Sequence, residues 1–325
     1  MHAPSEPEAD PAAAARAGAR IALGFRVLAA ITLCLIMLGA LVRAHDAGLA
    51  CPDWPLCFGE LIPEIDLQVG FEWSHRLLAG GVALGFAVLG AQAWRSARAR
   101  RGTRTLISLA ALVLATQIAL GALTVWLQLA PWTVAAHLIT GNGFACATLL
   151  LSLALRSRAR VSAHAPNPAP VSSASGLSIA AAALLLLVQL GIGGLVSSRY
   201  AAMACPEWPT CSGGVWFPSW SGSVGLNVVH RLTAYTLVGC LALAAAASWR
   251  EPRLRAPTAL ACMLGVLQLG VGIANVRLGI PAALTALHTG VAAGIALALV
   301  YALHAHIELR AERRAHGLPA IRARC

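Results

Sequence analysis

The stretch FEWSHRLLAGGVALGFAVLGAQAW, Phe71–Trp94, decides the fold. After Glu72, His75 and Arg76 near its start it carries no further charge until Arg95 closes it. At 1.5 Å per helical residue, such a run crosses the roughly 30 Å hydrocarbon core of a bilayer. Seven other runs share its character: Phe25–Val42, Leu106–Leu127, Trp132–Leu155, Leu177–Val196, Leu226–Trp249, Pro257–Val276 and Ala282–Leu303. A transmembrane barrel needs strands of about ten residues with alternating polarity, whereas these runs are long and continuously apolar. The expected fold is an all-α integral membrane protein of eight transmembrane helices. Composition agrees, because 58% hydrophobic residues, 11% charged residues and a mean hydropathy of +0.72 do not describe a soluble domain.

All 24 basic residues are arginine, and they are unevenly placed. Arg95, Arg98, Arg100, Arg101 and Arg104 lie between the second and third runs; Arg156, Arg158 and Arg160 follow the fourth; Arg250, Arg253 and Arg255 follow the sixth. Those connections are expected in the cytoplasm. The loop after the first run carries Asp46, Asp53, Glu60, Glu64 and Asp66 and is expected on the opposite, outer side. Both termini, 1–24 and 304–325, then form cytoplasmic tails. Glu6, Glu8 and Asp10 make the first residues unlike a signal peptide or an acid-poor transit peptide, so a bacterial cytoplasmic (inner) membrane is the expected location. The net charge of +11 reads as a topology signal with some attraction to anionic membrane lipid, and nothing points to nucleic acid.

The chain also repeats itself. CPDWPLCFG from Cys51 recurs as CPEWPTCSG from Cys205, an offset of 154 (205 − 51). SHRL from Ser74 recurs as VHRL from Val229, and the interval from Gln117 to His137 recurs from Gln268 to His288. Two four-helix halves follow, 25–155 and 177–303, joined by a linker at 156–176 rich in Pro, Ser and Ala. An even number of spans per half gives both copies one orientation, with the relating axis along the membrane normal.

Four histidines occupy equivalent places: His75 and His137, then His230 and His288. Each lies near the outer end of an even-numbered run, about 6–9 Å deep by helical rise. Two imidazoles at one level on helices running the same way can approach a single iron from opposite sides, and neutral imidazole is a good axial ligand for haem. An isolated intramembrane histidine is often explained by an interhelical hydrogen bond; four in register favour a functional set. Zinc and copper are disfavoured, since each half offers two histidines without a matched carboxylate or thiolate, Glu72 being confined to the first half. Gln117 and Gln268, mid-span, read first as interhelical hydrogen-bond formers. Cys51/Cys57 and Cys205/Cys211 are candidate disulfides in outer loops facing an oxidising space, expected to pin each loop over its half, with thiol participation in haem transfer or redox as the less favoured alternative. Cys34, Cys146, Cys240 and Cys262 fall within helices as packing residues, and Cys325 in the terminal tail. Trp54, Trp73, Trp132, Trp208, Trp216 and Trp220 gather at the outer boundary as an interfacial belt.

Eight spans, duplicated halves, the HR pairs at His75 and His230 and the paired loop cysteines together resemble the haem A synthase family, over roughly Phe25 to Leu303. The resemblance implies conversion of haem O to haem A by oxidation of a ring methyl group to a formyl group, through two successive oxidations and loss of water, for use by terminal oxidases. It implies that His75 and His137 hold the substrate haem and that His230 and His288 hold a haem b that passes electrons. It also implies that Glu72 handles protons or stabilises charge on the substrate side. Glu72 and His75 are three apart, hence on one helix face, and the second half has Asn227 instead. Arg76 and Arg231 are candidate propionate contacts, with snorkelling to the interface as the alternative. Candidate partners are a haem O synthase, terminal oxidase subunits and a second copy of the chain. The alternative function is a non-catalytic di-haem b-type protein that moves electrons from quinol; a transporter is disfavoured because the polar residues gather at the outer face.

Overall fold

The computed structural model describes residues 11–96, 101–160 and 172–316. Arg98, Arg100, Cys325, Glu6, Glu8, Asp10 and linker residues 161–171 lie outside these. The described residues form eight long helices: α1 (Pro11–Ala44), α2 (Leu67–Arg95), α3 (Arg101–Trp126), α4 (Pro131–Arg160), α5 (Ser173–Ser198), α6 (Gly222–Ser248), α7 (Pro252–Arg277) and α8 (Ala282–Ala315). All eight are long and apolar enough to span a bilayer, so the chain is a multi-pass membrane protein.

The helices outrun the apolar runs that announce them. α1 is already helical at Pro11, well before Phe25, because the alanine-rich stretch 12–20 is strongly helix-forming. α2 begins at Leu67, where the Asp66 side chain accepts from the Val69 N–H and caps it. α8 continues through 304–315, where Glu312 pairs with Arg253 of α7 at 2.7 Å and His304 contacts Glu308 within its own helix.

Within each half the helices pack in ring order, α1 on α2 and α4, α3 on α4, and likewise α5 on α6, α6 on α7, α7 on α8. α2 therefore faces α4 across its half, and α6 faces α8. The halves join through α4 and α8, which also contact α5 and α1. At the face bearing the long loops, the Arg43 guanidinium sits 3.9 Å over the Tyr200 ring and donates to the Ser197 carbonyl, and Tyr200 donates to Asp46. Residues 43 and 197, like 46 and 200, are separated by the repeat offset of 154. Contacts between equivalent positions are consistent with a two-fold relation between the halves.

The halves are not identical. α6 packs along α7, where Leu241 tucks so closely against Gly265 that a Cβ there would lie 2.6 Å from Leu241 Cδ1. The repeat partners are Phe86 (241 − 155) and Leu114 (265 − 151), with bulk on both sides. Phe86 turns inward onto Phe25 and Phe144, α2 meets α3 at only a few points, and an apolar cleft of about 210 Å³ lined by Phe86, Gly90, Trp94 and Ile107 opens along that seam.

Candidate functional site

The four histidines come from α2, α4, α6 and α8, the helices that face one another across each half. His75 lies eight residues past Leu67 and His230 eight past Gly222; His137 and His288 lie six past Pro131 and Ala282. They lie about 9–12 Å along their helices from the loop-bearing end.

A glycine on the preceding helix seats each ring. A Cβ at Gly39, Gly121, Gly193 or Gly272 would lie 3.1, 3.2, 3.2 and 3.2 Å from Cε1 of His75, His137, His230 and His288 respectively. In all four, Nδ1 is the next-nearest ring atom, at 3.6–3.8 Å; Nε2 lies beyond 4 Å for His137, His230 and His288 and at 3.9 Å for His75. Nδ1 of His75, His137 and His288 is buried without a hydrogen-bond partner. His230 Nδ1 instead lies 3.1 Å from Gln189 Nε2, and Thr233 Oγ1 donates to Gln189 Oε1. Gln117, expected to bond across helices, does so: its Nε2 lies 3.2 Å from His137 Nε2, and Thr140 Oγ1 donates to its Oε1. Gln268 keeps Oε1 buried and unpartnered.

Above the histidines sit the two cysteine loops, each closed by its disulfide, Cys51–Cys57 and Cys205–Cys211. Arg76 and Arg231 reach up into them. Arg76 donates to the carbonyls of Asp53 (2.6 Å), Leu56 (2.5 Å) and Cys51 (3.1 Å); Arg231 donates to those of Glu207 (2.9 Å), Thr210 (3.1 Å) and Cys205 (2.5 Å). These are equivalent positions, and the two arginines hold the loops. Neither interfacial snorkelling nor spacing alone anticipates that use.

Glu72 is buried beneath the first loop. Its Oε2 accepts from the Cys51 N–H at 2.9 Å and its Oε1 pairs with Arg76 at 2.5 Å. Asn227 is equally buried, and its amide donates to the carbonyls of Ala201 and Ala202. Position 72 thus sets a negative charge under its loop where position 227 sets a neutral donor.

Each loop is also organised from within by a carboxylate. Asp53 accepts from the N–H groups of Phe58 and Gly59, and Glu207 from those of Gly213 and Gly214 and from the Thr210 hydroxyl. The backbone N–H of Gly59 holds the Asp53 carboxyl below the usual range, and that of Gly214 does the same for Glu207. Among the belt tryptophans, Trp73 donates to the Leu61 carbonyl, Trp208 to the Tyr235 hydroxyl, and Trp54 packs edge-on against Trp126.

Fold and site define a duplicated multi-pass membrane protein with a histidine pair facing the interior of each half. Residues 25–300 match the COX15-CtaA family of cytochrome oxidase assembly proteins. A haem A synthase from Shewanella oneidensis is 31% identical over 316 residues, covering 85% of this chain and 93% of the relative. A haem A synthase from Geobacillus thermodenitrificans is 30% identical over 223 residues, covering 66% of this chain and 68% of the relative, and one from Lysinibacillus sphaericus is 36% identical over 191 residues, covering 58% and 61%. The chain belongs to the haem A synthase family.

The residues present fit haem. Nδ1 of His75, His137 and His288 is buried without a protein partner, and a paired imidazole set in each half suits axial ligation of haem iron. Among the described residues no three His, Cys, Asp or Glu side chains converge as a closed site for a bare metal ion would require.

Proposed function

We propose that this chain is an enzyme that converts haem O to haem A by oxidising a ring methyl group to a formyl group, supplying haem A for terminal oxidases. The observation that carries the reading is the pair of facing histidines in each half of a chain that belongs to this family. His75 and His137 hold the substrate in the first half; His230 and His288 hold haem b in the second. When bound, haem b supplies the one-electron chemistry that a porphyrin methyl, lacking useful acidity, cannot obtain from acid or base groups.

The protein's own residues bind and orient. The glycine seats fix the imidazole edges, and the arginine-held disulfide loops cover both interiors at the outer face. Glu72 is the proton-handling or charge-stabilising group on the substrate side, with Arg76 and the Cys51 amide holding its carboxylate in place. What supports the first half as the substrate side is its charged Glu72 against neutral Asn227, and its looser α2–α3 seam, which suits a half that must exchange a large ligand. Both termini lie in the cytoplasm of a bacterium whose inner membrane holds the protein, as the arginine distribution supports.

Expression of wild type and Glu72→Ala in a host that makes haem O but not haem A tests the reading. Chromatography of extracted haems should give haem A with wild type and haem O with Glu72→Ala at equal protein level. Wild type that makes no haem A while purifying with two b-type haems would return the chain to the electron-transfer alternative.

A further inference from the structure

The two halves place the same pair of side chains, a glutamine held by a threonine, on opposite nitrogens of their histidines. In the second half the Gln189–Thr233 pair lies against Nδ1 of His230, the edge that faces Gly193. There the Gln189 amide lies against Nδ1 and also donates to the His230 carbonyl, which leaves Nε2 clear. In the first half the Gln117–Thr140 pair lies against Nε2 of His137, the edge turned away from Gly121. That is the nitrogen an iron must reach, and whichever way the amide is turned, one Nε2 cannot serve both amide and iron.

Single residues cause the difference. The repeat partners of Gln189 and Thr233 are Leu35 (189 − 154) and Leu78 (233 − 155), so the first half has no polar brace at those positions. The partner of Thr140 is Val291 (140 + 151), which is buried and has no hydroxyl to hold Gln268, whose Oε1 is left unpartnered.

We propose that Gln117, held by Thr140, is a displaceable cap on His137 Nε2 that makes the first half's haem exchangeable, while the second half, braced and uncapped, retains its haem b. This rests on the first half being the substrate side. A substrate site must take up and give up a haem at every turnover, whereas a resident haem need never leave. The cap gives His137 Nε2 another partner, so the departing iron does not strand a buried polar atom. One net hydrogen bond corresponds to about a fivefold change in release.

The test compares purified wild type, Thr140→Val, Gln117→Leu and Val291→Thr, each loaded with haem O and carrying haem b. Transfer of each haem to excess apomyoglobin is followed with time and identified by extraction. Thr140→Val and Gln117→Leu should slow haem O release about fivefold, the same hydrogen-bond increment, with haem b release unchanged. Val291→Thr, which offers Gln268 a holder beside His288, should speed haem b release. Retained haem b reports that the first-half variants are folded, and Thr140→Val exchanges only a hydroxyl for a methyl. Haem O release at the wild-type rate in both Thr140→Val and Gln117→Leu overturns the proposal. A wild type that forms no haem A sinks the proposed activity instead, and the release rates still decide the cap.

Discussion

At the residue scale, the site depends on which ring edge a histidine shows. The glycine seats set this, and they are specific: Gly272 lies against His288, whereas Gly270, two residues earlier on α7, has nothing within 4 Å of an added Cβ. Gly272→Ala should therefore shift the low-spin haem b signal in electron paramagnetic resonance and Gly270→Ala should not; equal spectra for both would remove the seat. Glu72 divides in a similar way. Glu72→Gln still accepts from the Cys51 N–H but loses the charge facing Arg76, so its loop should stay closed while haem A formation falls at least tenfold, about the 1.4 kcal/mol of one charge-assisted bond. Full haem A formation by Glu72→Gln would reduce Glu72 to a loop fastener. The histidines were legible in the sequence because polar residues stand out in apolar runs. The glycines were not, since Gly39 and Gly121 look no different from Gly80 or Gly81, where an added Cβ meets nothing within 4 Å. Gln189 has only Leu35 as a repeat partner, so the repeat does not mark it.

At the scale of elements, the cysteine loops are held at three points: a disulfide, an arginine from the helix below and an internal carboxylate. Asp53 and Glu207 titrate below the usual carboxylate range in the folded loop. Their stabilisation is complete above the ordinary carboxylate pKa and is lost as pH falls through the depressed values. The amide proton shifts of Gly59 and Gly214 should consequently titrate at lower pH than a free aspartate or glutamate; titration in the ordinary range would show that these carboxylates do not organise the loops. The duplicated motif announced both loops, and the cysteine spacing announced both disulfides. The use of Arg76 and Arg231 was hidden, because an arginine after a histidine carries no mark of which carbonyls it will find. Helix ends were underestimated for a related reason: hydropathy marks where lipid begins, while capping by Asp66 and the alanine-rich start of α1 mark where the helix begins.

At the scale of the molecule, duplication supplies the frame and small departures from it separate the halves. The Leu241–Gly265 contact closes α6 on α7, and a side chain at Gly265 must displace the fully buried Leu241 Cδ1. Gly265→Leu should destabilise the protein by about 1–3 kcal/mol, read as a lower thermal midpoint in detergent, against no such loss for Gly239→Leu, whose added Cβ meets nothing. Equal midpoints would mean that the second half is not sealed by this packing. Repeat and span number could both be read in advance, since each follows from long patterns. The looser α2–α3 seam could not, because it follows from paired substitutions on two helices whose contact the sequence does not display.

In the proposed function the two histidine pairs hold different haems, substrate in the first half and haem b in the second. The most direct measurement is the pigment content of purified His75→Ala and His230→Ala from a host that makes haem O. His75→Ala should keep haem b, retain no haem O and form no haem A, and His230→Ala should lose haem b. Loss of the same haem from both variants, or retention of every haem by both, would contradict the account.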